Sequence, residues 1–500
     1  MKSVWGLGVW GLLIWLMVAC QTERWPLATP TPTATAVSIQ LSAADNQQSL
    51  PATNTPVTSP TSVPTPLPTT EPITAPTIPA TFTPGPTPSP KPTQHFYEPL
   101  EITPAGTAVP PPRPQFPKDD NITNIVLLGN DGAESQSGRT DSIVIVSINQ
   151  DTKTASMLSI PRDLYVYIPG WKMTKINLAL SHGHGVDYAH GGGGGLIKDT
   201  IAYNLGIPID YYARIGFDGF KEVIDILGGI EIVANCSLRD WRLKSPELDP
   251  NIEENWEQFI LEPGIHQMDG DFALWYARSR RTTNDFERGR RQQQLLQAIF
   301  NQGLQQDTLV ELPELWHAYK QVVETDLTLP ILLQLATLAP AVRENGIQHY
   351  AIAGEAVRSW REPETRWSMQ LLNWENAEPI LRQVMVPPQL SRGQRNAILV
   401  EVETYDDVMY RQMAENLIWF GFEPRHIPWS SGDIPAFTTI TYYGPNFKGS
   451  YNELLSWLFH QEPSQVALAD QATGDFYYRV VLGRDANPCL DVLYAPRGNE

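Results

Sequence analysis

A chain of 500 residues is long enough for two or three domains, and its 42% hydrophobic content supplies material for their cores. With 55 acidic against 36 basic residues the formal net charge is -19, which excludes a general nucleic-acid binder, because phosphate backbones need a basic footprint. Any anion site must therefore be a local concentration of arginine, and the 3 cysteines, Cys20, Cys236 and Cys489, show neither CxxC nor Cys/His zinc spacing.

Lys2 precedes an apolar run from Val4 to Ala19. That run is shorter than the ~20 residues of a spanning helix and fits a secretory leader. It ends in Met17-Val18-Ala19-Cys20, which resembles a lipoprotein cleavage box. Residues 1–20 are thus expected to be a lipoprotein-type signal peptide with Cys20 as lipid anchor; the alternative is an uncleaved anchor. Both readings place the remainder outside the cytoplasm, tethered to a bacterial membrane. Residues 21–117 hold more than half of the 44 prolines, with Thr, Ser and Ala. Missing amide donors and fixed φ prevent a core there, so an extended, polyproline-like tether is expected.

Order is expected from 118. Asn124–Gly129 (NIVLLG), Asp141–Asn149 and Thr154–Ile160 read as strands, the last two joined by a short turn and hence antiparallel. The segment HGHGVDYAHGGGGG after Asn177 reads as a flexible loop, with His182, His184 and His190 not taken as metal ligands. Leu196–Leu205 shows helical spacing ending at Gly206, Tyr211–Phe217 is strand-like, Phe220–Leu227 is helical and Ile230–Ala234 is a strand. Asp240–Pro263 reads as an irregular surface excursion, and Phe272–Tyr276 and Phe286–Leu304 as helices. This order implies a three-layer α/β/α sandwich with a mixed central sheet over 118–305. Residues 306–395 read as a helical extension and connector broken by Pro313, Pro330 and Pro340. Residues 396–490 alternate strand and helix as a smaller C-terminal α/β domain. Cys236 and Cys489 can pair in an oxidising compartment, but the sequence leaves their geometry open.

The chemistry concentrates in RSRRTTNDFERGRRQ, Arg278 to Gln292. Asp285 reads as the N-cap of the following helix, with Arg288, Arg291 and Gln292 on one face. Forked guanidinium groups would then sit where free amides and the helix dipole already favour anions. The competing reading is a solvated basic face paired with acids. Further charges lie at strand ends: Asp131 after the first strand, Arg139-Thr140-Asp141 opening the second, and Arg162-Asp163 closing the third, with Lys175 and Asn177 beyond. Asp131 and Asp141 offer oxygen ligands to a hard divalent cation. A metal and guanidinium groups together suit pyrophosphate chemistry.

At NIVLLGND, RTDSIVIVSIN, SIPRDLYVYIPG, TKIN, LGIPIDYYARIGFDGF, LEPGIHQMDGDFALWYARSR and DFERGRRQQQ the chain resembles the LytR-CpsA-Psr family, from about Asn121 to Leu304. The second α/β unit is similar to a LytR-type C-terminal domain. The resemblance implies an extracytoplasmic, Mg²⁺-assisted phosphotransferase. Such an enzyme moves a glycopolymer from an undecaprenyl pyrophosphate carrier to peptidoglycan or another wall acceptor and releases lipid monophosphate. It further implies that Asp131 and Asp141 hold the metal, and that Arg139, Arg162, Arg278, Arg280, Arg288 and Gln292 contact the pyrophosphate. Asp285 orients arginine or assists acceptor deprotonation, and Lys175 and Asn177 support the site. A non-catalytic binder of lipid-linked polymers and a lipid pyrophosphate hydrolase are the alternatives.

Overall fold

The apolar runs read as strands are buried on both faces, which explains why they lack polar alternation. The computed structural model describes residues 109–131, 138–281, 283–305, 323–363, 366–385, 390–391, 394–395, 398–429, 432–444, 451–471 and 477–490. The expected leader with Cys20, most of the expected tether and Pro313 lie outside the described residues.

Strands β1 (Ile122–Asn130), β2 (Thr140–Asn149) and β3 (Thr154–Ser159) form an antiparallel meander. A small hairpin, β4 (Tyr165–Tyr167) with β5 (Met173–Lys175), follows, then helices α1 (Ala179–Gly185) and α2 (Gly192–Leu205). Strand β6 (Tyr211–Ile215) returns parallel to β1, and α3 (Phe217–Ile226) leads into β7 (Ile230–Ala234). Alternate residues of the meander serve two cores. Val126, Leu128, Ile143, Ile145 and Leu158 pack on α1 and α2 through Leu180, Leu196, Ile197 and Ile201. Ile125, Val144, Val146 and Met157 face Phe300, Leu332 and Val342 on the other side. The result is a mixed α/β sheet between helical layers. Each of these fully buried aliphatic side chains contributes about 1.5–3 kcal/mol.

Three expectations change. First, the glycine run is not a loop: Gly192 to Gly195 open α2. A Cβ on Gly193 would lie 2.4 Å from the Leu180 carbonyl oxygen, and one on Gly194 would lie 2.0 Å from Tyr212 Cε1. Glycine here permits close approach of α2 to α1 and to the sheet. The histidines disperse: His182 stacks on Trp171, His184 meets Glu324 at 3.0 Å and His190 meets Asp199 at 3.0 Å.

Second, the excursion after Asp240 contains a hairpin, β8 (Leu238–Leu243) with β9 (Trp256–Leu261), registered from Leu238↔Leu261 to Leu243↔Trp256. Strand β10 (Gly264–Met268) then pairs with β7 and leads to α4 (Gly270–Arg278) and α5 (Asp285–Gln305).

Third, the expected connector completes the sheet. Strand β11 (Val323–Thr325) pairs with β6 at one edge and β12 (Ile347–Ala351) with β3 at the other. Between them, Pro330 and Pro340 sit in the first turns of α6 (Leu329–Ala336) and α7 (Ala339–Asn345), so they start helices rather than break them. A hairpin of β13 (Val357–Arg361) and β14 (Ser368–Leu372) precedes α8 (Trp374–Met385), whose Leu381, Val384 and Met385 join the first core. The large domain therefore runs to 385, not 305.

The C-terminal unit has a five-stranded sheet with β15 (Ile398–Thr404) between β16 (Phe422–Pro428) and β19 (Tyr478–Val481), then β17 (Thr439–Tyr442) and β18 (Ala467–Leu468). Helices α9 (Asp407–Trp419) and α10 (Asn452–Leu458) bury Met413, Leu417, Leu455 and Leu458 against it. Helix α9 also meets the large domain. Gln412 Nε2 donates to the Ala234 carbonyl at 2.7 Å, and Asn416 Oδ1 accepts from Asn235 at 2.8 Å and Arg290 at 2.6 Å. Cys236 and Cys489 are joined by a disulfide across this junction, with Cα atoms 4.6 Å apart.

Candidate functional site

Helix α5 begins with a cap that the sequence reading misplaced by one residue. Asn284 Oδ1 accepts the amides of Phe286 and Glu287, both at 2.9 Å, so Asn284 is the cap and Asp285 the first helical residue. Freed from capping, the Asp285 carboxylate meets three arginines: Arg288 at 3.3 Å, Arg280 at 3.8 Å and Arg162 at 3.9 Å. Arg162 also donates through Nη1 to Asp141, at the start of β2. Two sequence-distant segments are thus knitted into one arginine and carboxylate girdle.

The girdle lines a cleft of about 320 Å³ that contains Asp141, Arg162, Arg278, Arg280, Arg288 and Gln292. Arg288 is 6% exposed. Burial pulls its guanidinium below the ordinary arginine value; Asp285 opposes this, while Arg162 and Arg280 reinforce it. Arg162 is raised: burial lowers it, but Asp141, Asp285 and Asp163 together outweigh burial. The Nε atoms of both Arg162 and Arg288 are buried with no acceptor at hydrogen-bond distance among the described residues. Such donors are costly unless an anion meets them.

Arg291 does not share this face. Its guanidinium donates to the carbonyls of Tyr276 and Ser279 and, at 3.0 Å, to Thr283 Oγ1. One residue of helix turns it about 100° away from Gln292, and there it satisfies the terminal carbonyls of α4.

Lys175 binds Asp163 at 2.7 Å, and Asp163 lies 3.7 Å from Arg162 Nε. The Asn177 amide donates to the Arg162 carbonyl at 3.2 Å. Both therefore stand behind Arg162 and outside the lining of the cleft. Arg139 is exposed, and its amide donates to Asp131 Oδ1 at 2.8 Å. Neither of these residues lines the cleft.

Among the described residues no group of three or more His, Cys, Asp or Glu is gathered as a metal cluster. The fit for a cation with Asp131 and Asp141 rests on oxygen chemistry at two paired strand ends, where Asn130 faces Thr140. Asn130 Oδ1 and Thr140 Oγ1 are buried there with no hydrogen-bond partner among the described residues. An all-oxygen set suits a hard divalent ion.

Two further features were not assigned to residues from the sequence. An apolar pocket of about 110 Å³ opens beside the cleft, between the sheet and α3 to α5. It is lined by Leu127, Val144, Ala213, Ile215, Phe217, Phe220, Leu295 and Leu296. It shares Asp141, Leu274, Ala277, Arg278 and Gln292 with the cleft. Arg278 marks the boundary, its guanidinium 4.2 Å from the Phe217 ring centroid. The opposite wall of the cleft is the hairpin segment Asp240 to Leu243 with Pro246. The nonalternating order of LRDWRL had hidden this strand.

The LytR_cpsA_psr family model matches residues 101–382. The chain is 30% identical over 229 residues to the polyisoprenyl-teichoic acid–peptidoglycan teichoic acid transferase TagU of Bacillus licheniformis, covering 45% of this chain and 67% of that protein. It is 35% identical over 215 residues to the regulatory protein MsrR of Staphylococcus aureus, covering 42% of this chain and 58% of that one. The crystal structure of Bacillus subtilis TagV aligns with 26% identity and a TM-score of 0.43, covering 53% of this chain and 96% of that chain. With more than half of its length matched by the family model, the chain belongs to the LytR-CpsA-Psr family.

Proposed function

We propose that the protein is a phosphotransferase that moves a wall glycopolymer from a polyprenyl (undecaprenyl) pyrophosphate carrier to peptidoglycan. The observation that carries this reading is the pair of buried, acceptorless Nε donors of Arg162 and Arg288 in a cleft whose neighbour is an apolar pocket. A strongly anionic head and a long apolar tail are the two halves of such a carrier. TagU, a relative, is named as a teichoic acid transferase.

In this mechanism Arg278 and Arg280 bind the diphosphate from the α4 side, Arg162 and Arg288 from the sheet and α5 side, and Gln292 donates from the next turn. A wall hydroxyl attacks the glycan-linked phosphorus. The bond from that phosphorus to the bridging oxygen breaks, and polyprenyl monophosphate leaves. The guanidinium groups spread the charge that gathers on the nonbridging and leaving oxygens. Asp285 holds three of the arginines in register. Asp131 and Asp141 would hold a magnesium ion, which when bound neutralises phosphate charge. The apolar pocket receives the first isoprene units. Among the described residues no helix is long and apolar enough to cross a membrane; attachment through a lipid on Cys20 belongs to the same proposal.

The test incubates the full chain with a polyprenyl pyrophosphate-linked saccharide, Mg²⁺ and peptidoglycan. Release of polyprenyl monophosphate with saccharide on the wall, lost in folded Arg278→Ala and Asp141→Ala variants, is the expected result. Release without transfer identifies a hydrolase. Binding without release identifies a non-catalytic binder.

A further inference from the structure

A lipid-linked saccharide has three chemically distinct parts in fixed order, and the proposed function accounts for the site's apolar pocket and arginine girdle. The remaining wall of the cleft is the hairpin strand β8, where Trp241 is 44% exposed yet lines the cleft. An indole left open beside an anion site needs a reason, because the hairpin has packing available: Phe259 on its partner strand is packed edge-on against Trp275 at 5.1 Å.

Trp241 is fixed in place. Its carbonyl accepts from Trp275 Nε1 at 2.9 Å, and its amide donates to Asp240 Oδ1 at 2.8 Å. The other oxygen of Asp240 accepts the amide of Arg280 at 2.8 Å and that of Arg281 at 3.3 Å. The Arg281 guanidinium lies 5.6 Å from the indole centroid. One carboxylate thus ties the backbone of Trp241 to that of Arg280, which the proposed function places on the diphosphate.

We infer that Trp241 is the platform for the sugar attached to the diphosphate. This rests on the proposed function and adds a residue that reads the glycan rather than the carrier. A pyranose presents an apolar face of C–H groups edged by hydroxyls. A half-exposed indole rimmed by charged groups matches both features. Arg278 is common to the cleft and the apolar pocket, whereas Trp241 lines the cleft alone, as a ligand with a tail in the pocket and a sugar beyond the diphosphate requires.

The experiment measures affinity of the full chain for farnesyl pyrophosphate and for farnesyl-pyrophosphoryl N-acetylglucosamine, in wild type, Trp241→Phe and Trp241→Ala. The expected result is tighter binding of the sugar-bearing ligand by wild type. That affinity falls about tenfold in Trp241→Ala and is largely restored in Trp241→Phe, with farnesyl pyrophosphate unaffected throughout. Equal affinity of wild type for the two ligands overturns the inference, as does an equal loss for both ligands in Trp241→Ala or a loss for neither. In those cases the phosphotransferase reading stands on its own release assay. If wild type binds neither ligand, both readings fall together.

Discussion

Arg288 is the residue at which burial and charge conflict most openly. It is almost wholly enclosed, with two like charges, Arg162 and Arg280, nearby and two carboxylates, Asp285 and Asp141, to offset them. Replacing it with alanine should lower turnover by about 10²–10³-fold, the usual cost of removing a preorganised donor. Lysine should not restore it, because a point charge lacks the fork. Polyprenyl monophosphate release measures both. Asp285→Asn keeps the size but not the charge that gathers Arg162, Arg280 and Arg288. The expected outcome is weaker binding of the pyrophosphate ligand with the fold intact, read by titration alongside circular dichroism. Six of the arginines and carboxylates of this girdle were legible in the sequence because charge density and strand-end position are local properties. The separation of Arg291 from them was not, since its orientation is decided by the carbonyls of α4, a tertiary circumstance. The same holds for Asn284: two adjacent capping residue types compete, and only the fold selects one.

Helices α1 and α2 show how composition misleads at the scale of an element. A glycine run signals chain entropy, yet packing overrides it where a neighbouring backbone needs the space of a Cβ. Gly194→Ala would place a methyl 2.0 Å from Tyr212 Cε1, and overpacking of this kind costs about 1–3 kcal/mol. Thermal unfolding should show a clear drop in Tm. Gly185→Ala makes a contrast: it ends α1, is exposed, and a Cβ there meets nothing within 4 Å. That variant should be neutral or more stable by up to about 1 kcal/mol. The β8–β9 hairpin was missed for a related reason, since a two-stranded excursion has no buried face to impose alternation. The strands of the main sheet were legible because continuous β-branched runs bounded by turns admit few other structures.

At the scale of the whole molecule, the C-terminal unit is joined to the large domain by polar groups gathered around α9. Asn416 serves Asn235 and Arg290 with its oxygen and the Pro488 carbonyl, at 2.8 Å, with its nitrogen. Asn416→Ala removes these three hydrogen bonds at the junction, at a cost of about 1–3 kcal/mol, seen as a lower denaturation midpoint. Helix α5 carries Arg288 and Gln292 toward the cleft and Arg290 and Gln294 toward α9, so the C-terminal unit abuts the element that presents the anion-binding groups. Reducing the Cys236–Cys489 bond, with its separation of 253 residues, should lower Tm by an amount equivalent to about 2–5 kcal/mol. The sequence supplied both cysteines but not their proximity, because nothing local encodes a contact across that span. It also misplaced the end of the large domain: β11 and β12 are short strands whose identity comes only from the sheet edges they complete.

That crosslink has a consequence for how the chain matures. Three thiols permit three pairings, and Cys236 leaves the ribosome long before Cys489, while Cys20 is already present. A nascent chain carrying all three would risk a mismatched bridge from Cys20 to Cys236. Thioether attachment of a diacylglycerol to Cys20 would retire the odd sulfur and leave one possible bridge. Blocking acylation should therefore yield scrambled, nonreducing-gel isoforms that a Cys20→Ser chain does not form.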